Sequence, residues 1–116
     1  IYMPLSLEGI VAMLACARIG AVHSVVYAGL GSGALRDRIV DAEARLIVTA
    51  DVAYRRGRAV QLKSIVDEAI RGLDQVRRVI VWRREPGNGD LDGGREQDFH
   101  ALLSDASPEL RPEPVD

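Results

Sequence analysis

Cysteine and lysine each occur only once in this 116-residue chain. With Cys16 alone no intrachain disulfide can form, and no partner base lies near it in sequence to activate it as a nucleophile. It stands in the apolar stretch from Ile10 to Ile19 and is expected to act as a small buried hydrophobe. Lys63 is the one lysine among 15 basic residues, a bias that a GC-rich coding sequence accounts for. Any phosphate contact therefore falls to guanidinium groups, which grip phosphate in a bidentate fork. A strong net charge is also missing. At −2, with a pI near 5.7, the chain lacks the basic surplus that displaces phosphate counterions, so no nucleic-acid partner is expected. These residues show no signal-peptide pattern, and the longest apolar run is too short to span a bilayer, so the expected location is cytoplasmic, without a membrane partner. No His/Cys/Asp/Glu set has metal-ligand spacing, and two histidines in these contexts allow no Ser–His–Asp or Cys–His arrangement. No catalytic and no metal-binding residue is assigned.

What is present is ordinary globular material: 47% hydrophobic and 28% charged residues, enough for one domain or part of one. Ser6 can cap a helix from Leu7 to Ile19 that Gly20 stops in the left-handed conformation. That helix is apolar almost all round, which implies burial on several sides. Ala21 to Tyr27 is rich in β-branched residues and reads as a strand, within which His23 is expected to be a hydrogen-bonded core residue. The glycine turn Gly29-Leu30-Gly31-Ser32-Gly33 leads into a second helix over 34–44, with Leu35, Ile39 and Ala42 on its inner face. Arg45 to Ala50 is a buried-type strand, and 51–60 is a polar, arginine-rich connection. A third helix follows over 63–72 with Ile65, Val66, Ala69 and Ile70 inward, then a strand over 76–82. Residues 83–95 read as a surface loop, and a last helix over 96–105 is expected to bury Phe99, Leu102 and Leu103. This alternation predicts an α/β fold of helices and mainly parallel strands.

In such a sheet, ligands bind beyond the carboxyl ends of the strands. Two connections leave those ends. Tyr27 to Ser32 offers glycines, free N–H groups and a ring, and Asp51 to Arg58 offers Arg55, Arg56 and Arg58. Together they suit an anionic ligand with a planar or extended organic part. Alone, the turn lacks the full Gly-x-Gly-x-x-Gly spacing, and a short arginine run is usually a solvated surface.

The ordered strings carry the argument further. Met13-Leu14-Ala15-Cys16-Ala17-Arg18-Ile19-Gly20-Ala21-Val22-His23-Ser24-Val25-Val26-Tyr27 closely resembles a segment of AMP-forming acyl-CoA synthetases, in particular their acetyl- and propionyl-CoA branch. Leu35-Arg36-Asp37-Arg38-Ile39, Val48-Thr49-Ala50-Asp51, Tyr54-Arg55-Arg56-Gly57-Arg58, Leu62-Lys63, Val66-Asp67-Glu68-Ala69 and Ala106-Ser107-Pro108-Glu109 continue the match in order. The resemblance implies the large N-terminal domain of an adenylate-forming enzyme, with 1–116 part of that one domain, truncated at both ends, and 106–116 a linker toward an ATP-binding loop. Ile1-Tyr2-Met3 would be the tail of a strand.

The implied activity is that of an acetate–CoA ligase. Acetate and ATP give acetyl-adenylate and pyrophosphate, and the CoA thiol then displaces AMP. ATP and CoA are the implied co-substrates, magnesium is implied for the parent enzyme with no ligand in this segment, and the remaining partner is the rest of its own chain. By position, Tyr27, Ala28 and Gly29 match residues lining the CoA nucleotide site, and Arg55 and Arg58 match the pair that contacts the CoA 3′-phosphate. The family's Phe-Gly-Gly-Phe-Ser-Pro-Glu is replaced here by Tyr27-Ala28-Gly29-Leu30-Gly31-Ser32-Gly33, where a methyl at Ala28 could crowd a close backbone approach. No phosphate loop ending in lysine is present, so the segment alone is expected to be inactive. A propionate or other short-chain acid, a stand-alone CoA-binding module, and a scaffold subunit for a separate adenylating chain are the alternatives.

Overall fold

The computed structural model describes residues 1–85, 87 and 89–115; Pro86 and Asn88 of the expected loop and Asp116 of the expected linker lie outside the described residues. α1 (Leu7–Arg18) begins where the Ser6 hydroxyl accepts the Gly9 N–H at 3.1 Å, and Gly20 turns left-handed (φ 71°) just beyond its end. α2 (Ser32–Asp41) is followed by β1 (Leu46–Ala50), and then by a short hairpin of β2 (Ala53–Arg55) and β3 (Arg58–Val60). α3 (Leu62–Ala69), β4 (Arg78–Trp82), β5 (Glu96–Asp98) and α4 (Phe99–Asp105) complete the chain.

The central sheet is parallel, β1 beside β4 beside β5, with Ile47 opposite Val79 and Ile80 opposite Gln97. Its other side is extended by the first residues. Tyr2 bridges Thr49 in parallel, and its N–H donates to the Val48 carbonyl at 2.8 Å. Ile1 N in turn donates to the Ser24 carbonyl (2.7 Å), while Val26 N–H donates back to the Ile1 carbonyl (2.8 Å). The order across the layer is thus 24–26, 1–2, β1, β4, β5. Two cores flank it, as β-strand alternation requires. Ile47, Val79 and Val81 pack with α2 and α3 through Leu35, Ile39, Leu62 and Val66. Val48 and Ile80 turn the other way, toward Met3, Ala12 of α1 and Phe99 of α4. The expected α/β layering with a parallel sheet is what forms.

Several local expectations are corrected. Residues 21–27 form no regular strand: among the described residues, the backbone hydrogen bonds that tie this segment to the sheet run to Ile1 alone. His23 on that segment is exposed rather than in the core. α1 buries only Gly9 and Ala12; Leu7, Leu14 and neighbouring apolar groups stay exposed, Leu14 at 65%, and Cys16 is half-buried. α2 starts two residues early and ends at Asp41, leaving Ala42 exposed past its end. α3 gains Leu62 and ends at Ala69, with Ile65 only half-buried. The arginine-rich connection is a hairpin rather than a loop. Residues 96–98 are an edge strand, not helix, and the Asp98 carboxylate caps α4 by accepting the Ala101 N–H at 2.9 Å. Phe99 is buried as expected, whereas Leu102 is half-buried and Leu103 exposed. The described residues of 83–95 form no helix or strand, and the chain beyond α4 runs back along α1, where Glu113 N–H donates to the Arg18 carbonyl at 2.7 Å.

Candidate functional site

Reading outward along the sheet, the chain leaves the first strand at Pro4, the 24–26 segment at Tyr27 and β1 at Asp51. All three exits open on one cleft of about 480 Å³. Its floor is apolar, from Met3, Ile10 and Met13 to Val26 and Ile65, and its rim carries Tyr27, Tyr54 and Arg55. Between the first strand and β1 the winding of the sheet changes direction, the place where an open parallel sheet parts its loops and leaves a crevice.

The turn over 27–30 is held from below. Tyr2 is fully buried, and its hydroxyl donates to the Leu30 carbonyl at 2.6 Å, with the Ala28 carbonyl also in reach at 3.3 Å. Leu30 N–H closes the turn on the Tyr27 carbonyl at 3.0 Å. Burial holds the Tyr2 hydroxyl above its ordinary pKa, so it stays a donor well into the alkaline range. Ala28 packs against the main core, and Gly29 lies under the Tyr27 ring: a Cβ there would sit 2.3 Å from a ring carbon.

The arginines reach the same edge by a different device. Arg55 and Arg58 are the closing pair of the β2–β3 hairpin, and the two residues between them, Arg56 and Gly57, have φ of 51° and 75°. Two positive φ values in a two-residue loop match the type I′ turn that suits the strand twist. Directly paired residues of antiparallel strands project from the same face, so the hairpin presents both guanidinium groups together. The Arg55 guanidinium carbon stands 5.9 Å from the centre of the Tyr27 ring, which joins the hairpin to the glycine turn. Arg58 does not line the cleft itself but stands beside Arg55 at its mouth.

All five residues singled out in the sequence therefore lie along one edge: Tyr27, Ala28, Gly29 and Arg55 in the cleft wall, with Arg58 adjoining. Sequence reasoning missed Tyr2 and Tyr54. No local signal marks Tyr2, whose partners lie 26 and 28 residues away. For Tyr54, an x-Gly pair between two short runs was an available hairpin signal. Among the described residues no Asp or Glu lines the cleft, and the nearby Asp51 carboxylate accepts backbone N–H groups of Val52, Arg84 and Glu85. Among the described residues no group of three or more His, Cys, Asp or Glu could hold a metal ion. This donor set does not fit magnesium, and no step is assigned to that ion here. The arrangement can grip a phosphate with paired guanidinium groups and pack a planar group against Tyr27.

Comparison with known proteins gives a consistent result. The family model described as AMP-binding enzyme matches residues 1–115. Acetyl-coenzyme A synthetases of Burkholderia mallei, Burkholderia pseudomallei and Burkholderia thailandensis are each 50% identical to the chain over 115 residues, covering 97% of it and 17% of the relative. Acetoacetyl-CoA synthetase from Streptomyces lividans superposes with a TM-score of 0.84 at 27% identity, covering 98% of this chain and 17% of that one. The chain thus spans about a sixth of the length of the proteins it matches.

Proposed function

The chain belongs to the AMP-binding enzyme family, and from that premise we propose that it is a segment of an acetate–CoA ligase (AMP-forming), contributing part of the site for the nucleotide end of CoA. The relatives' name, acetyl-coenzyme A synthetase, supports this reading; the reaction it proposes for the whole protein turns acetate, ATP and CoA into acetyl-CoA, AMP and pyrophosphate through acetyl-adenylate. The observation that carries this segment's share is the meeting of the Arg55–Arg58 pair with the Tyr27–Gly29 turn at one cleft. In this reading the two guanidinium groups hold the CoA 3′-phosphate, a charge-assisted and geometrically selective contact. Tyr27, Ala28 and Gly29 line the nucleotide beside it. With that end anchored, the thiol is delivered to an acyl-adenylate bound by other parts of the protein, and positioning of this kind is itself a rate contribution. The acyl pocket, the adenylating groups and any magnesium ligand belong to those other parts, as does the choice of acetate over propionate. A cytoplasmic location goes with the same proposal; among the described residues, no helix is long and apolar enough to cross a membrane.

Two steps test it. Sequencing the gene across both ends of this segment should reveal an open frame that runs on into a glycine-rich loop ending in lysine. A start and a stop tightly flanking the segment would instead favour a small, non-catalytic CoA-binding protein. In the full-length protein, Arg55→Ala or Arg58→Ala should raise the CoA concentration needed for acetyl-CoA formation by roughly tenfold or more, as expected for losing a hydrogen bond to a charged group. Acetate-dependent ATP–pyrophosphate exchange, which precedes CoA, should persist. If exchange collapses in folded variants, the arginines serve adenylation and the CoA assignment is wrong.

A further inference from the structure

The residues that follow β4 also reach the arginine hairpin. Asp51 closes β1 and is 3% exposed. One carboxylate oxygen accepts the Val52 N–H at 2.7 Å and the Arg84 N–H at 2.9 Å; the other accepts the Glu85 N–H at 3.1 Å. Asp51 N–H donates to the Trp82 carbonyl at 3.0 Å. The backbone leaving β4 is thereby pinned to the backbone leaving β1. From that anchored position the Arg84 guanidinium lies over two rings, its central carbon 5.0 Å from the centre of Trp82 and 5.2 Å from that of Tyr54. Both distances are within cation–π range. Trp82 ends the middle strand of the sheet, whereas Tyr54 sits in the hairpin, next to Arg55.

This stack matters because of what the hairpin lacks. It forms a two-stranded sheet separate from the central one, and a lone hairpin is marginal in water. Buried Val52 and Ala53 hold its root and half-buried Val60 packs on the main core, but Tyr54, Arg55, Arg58 and Ala59 are all exposed. The Arg84 contacts with Trp82 and Tyr54 bridge this exposed end to the sheet.

We propose that Arg84 is a positioning residue for the 3′-phosphate subsite of CoA: in cation–π contact with both Trp82 and Tyr54, it fixes the hairpin so that Arg55 and Arg58 address one phosphate together. The inference rests on the CoA-ligase reading and extends it to a residue that need not touch the ligand. A lysine at this position would keep the charge but lose the flat stack.

The experiment compares CoA with dephospho-CoA, which lacks the 3′-phosphate, as substrates of the full-length protein. Arg84→Ala should raise KM for CoA about two- to fivefold, the worth of one exposed cation–π contact. It should leave KM for dephospho-CoA and the ATP–pyrophosphate exchange rate unchanged. Tyr54→Leu should do the same, and the Arg84→Ala/Tyr54→Leu double variant should be no worse than either single one. An unchanged KM for CoA in Arg84→Ala overturns the proposal. So does an equal rise for both substrates, which would place the effect in the fold. A loss with Arg84→Ala that Tyr54→Leu does not share would make Arg84 a direct ligand contact instead. If the wild type itself fails to prefer CoA over dephospho-CoA, it is the 3′-phosphate reading of the arginine pair that falls, and this shows before any variant is made.

Discussion

Replacing Tyr2 by Phe removes one oxygen from the interior and nothing else. That hydroxyl is the donor holding the Ala28–Leu30 turn against the first strand, at 2.6 Å from the Leu30 carbonyl. A net hydrogen bond contributes about 0.5–1.5 kcal/mol, and a carbonyl left without a donor costs more when water cannot reach it. Leu30 is half-buried, so water can partly compensate, and a loss of about 1 kcal/mol follows. With a urea m-value of about 1.5 kcal/mol/M, the unfolding midpoint of Tyr2→Phe should fall by roughly 0.7 M at pH 8. The pH dependence supplies a second check. Burial raises the folded-state pKa of Tyr2 above its ordinary value of 10.0. Its contribution is therefore fully present below pH 10, where unfolded tyrosine is still neutral, and is lost as the pH rises through the folded value. Phe has nothing to lose there, so the gap between variant and wild type should narrow above pH 10. Lys63 loses stability in the same range, but it does so in both proteins and cancels from the difference. An unchanged midpoint at pH 8, or a gap that widens above pH 10, would refute the assignment of this hydroxyl as the brace of the turn.

Lys63 and Gly57 give two further tests. Lys63 bridges Asp67 and Glu96, tying α3 to the edge strand β5. Burial alone would lower its pKa, but hydrogen bonds and charge from the two carboxylates outweigh that and raise it above 10.5. Lys63→Met should then cost roughly 1 kcal/mol at neutral pH, given the partial exposure of the pair, with the deficit disappearing as the pH rises through the folded-state pKa; a denaturation series at pH 7 to 11 reads this. Gly57 has a φ of 75° in the hairpin turn with open space around it, so Gly57→Val meets backbone strain rather than a clash. A cost of about 1–2 kcal/mol and a weakened pairing of Arg55 with Arg58 should follow, read as a lower melting temperature together with a raised KM for CoA in the full-length protein.

Much of the layered fold is legible in sequence where a residue's neighbours are close along the chain. Ser6 and Gly20 bracket α1 because caps act within one turn, and the apolar runs at 46–50 and 78–82 read as strands because both their faces are covered. The misses share a cause. Glu96, Gln97 and Asp98 form a strand only because β4 offers a free edge, a fact invisible in three polar residues. The 21–27 segment has the β-branched composition of a strand, but among the described residues its bonds to the sheet reach only Ile1. α1 carries apolar residues all round, and these 116 residues cover only the side that meets Ala12 and Gly9. In each case the pattern records a propensity, and tertiary pairing decides whether it is used.

The candidate site was legible for a different reason. Ligand location in a parallel sheet follows from chain order and not from side-chain detail, so once strands and helices alternate, the exits of the strands are the place to look. The structure adds why the site forms between these exits in particular. The first strand lies between the 24–26 segment and β1, so the chain winds one way from the first strand and the other way from β1, and the 27–31 turn faces the 53–58 hairpin across the gap. Residues some 28 positions apart, Tyr27 and Arg55, then meet at 5.9 Å without any long-range signal in the sequence. What such an edge can do is limited by its composition: guanidinium groups, two tyrosines and apolar walls, with the nearby Asp51 carboxylate already engaged by backbone. A surface of that kind suits the binding and orientation of a phosphate-bearing organic molecule, the role proposed for it above. On the proposed reading the bond-making steps belong to other parts of the protein, and variants at the cleft should separate CoA capture from adenylation rather than abolish both.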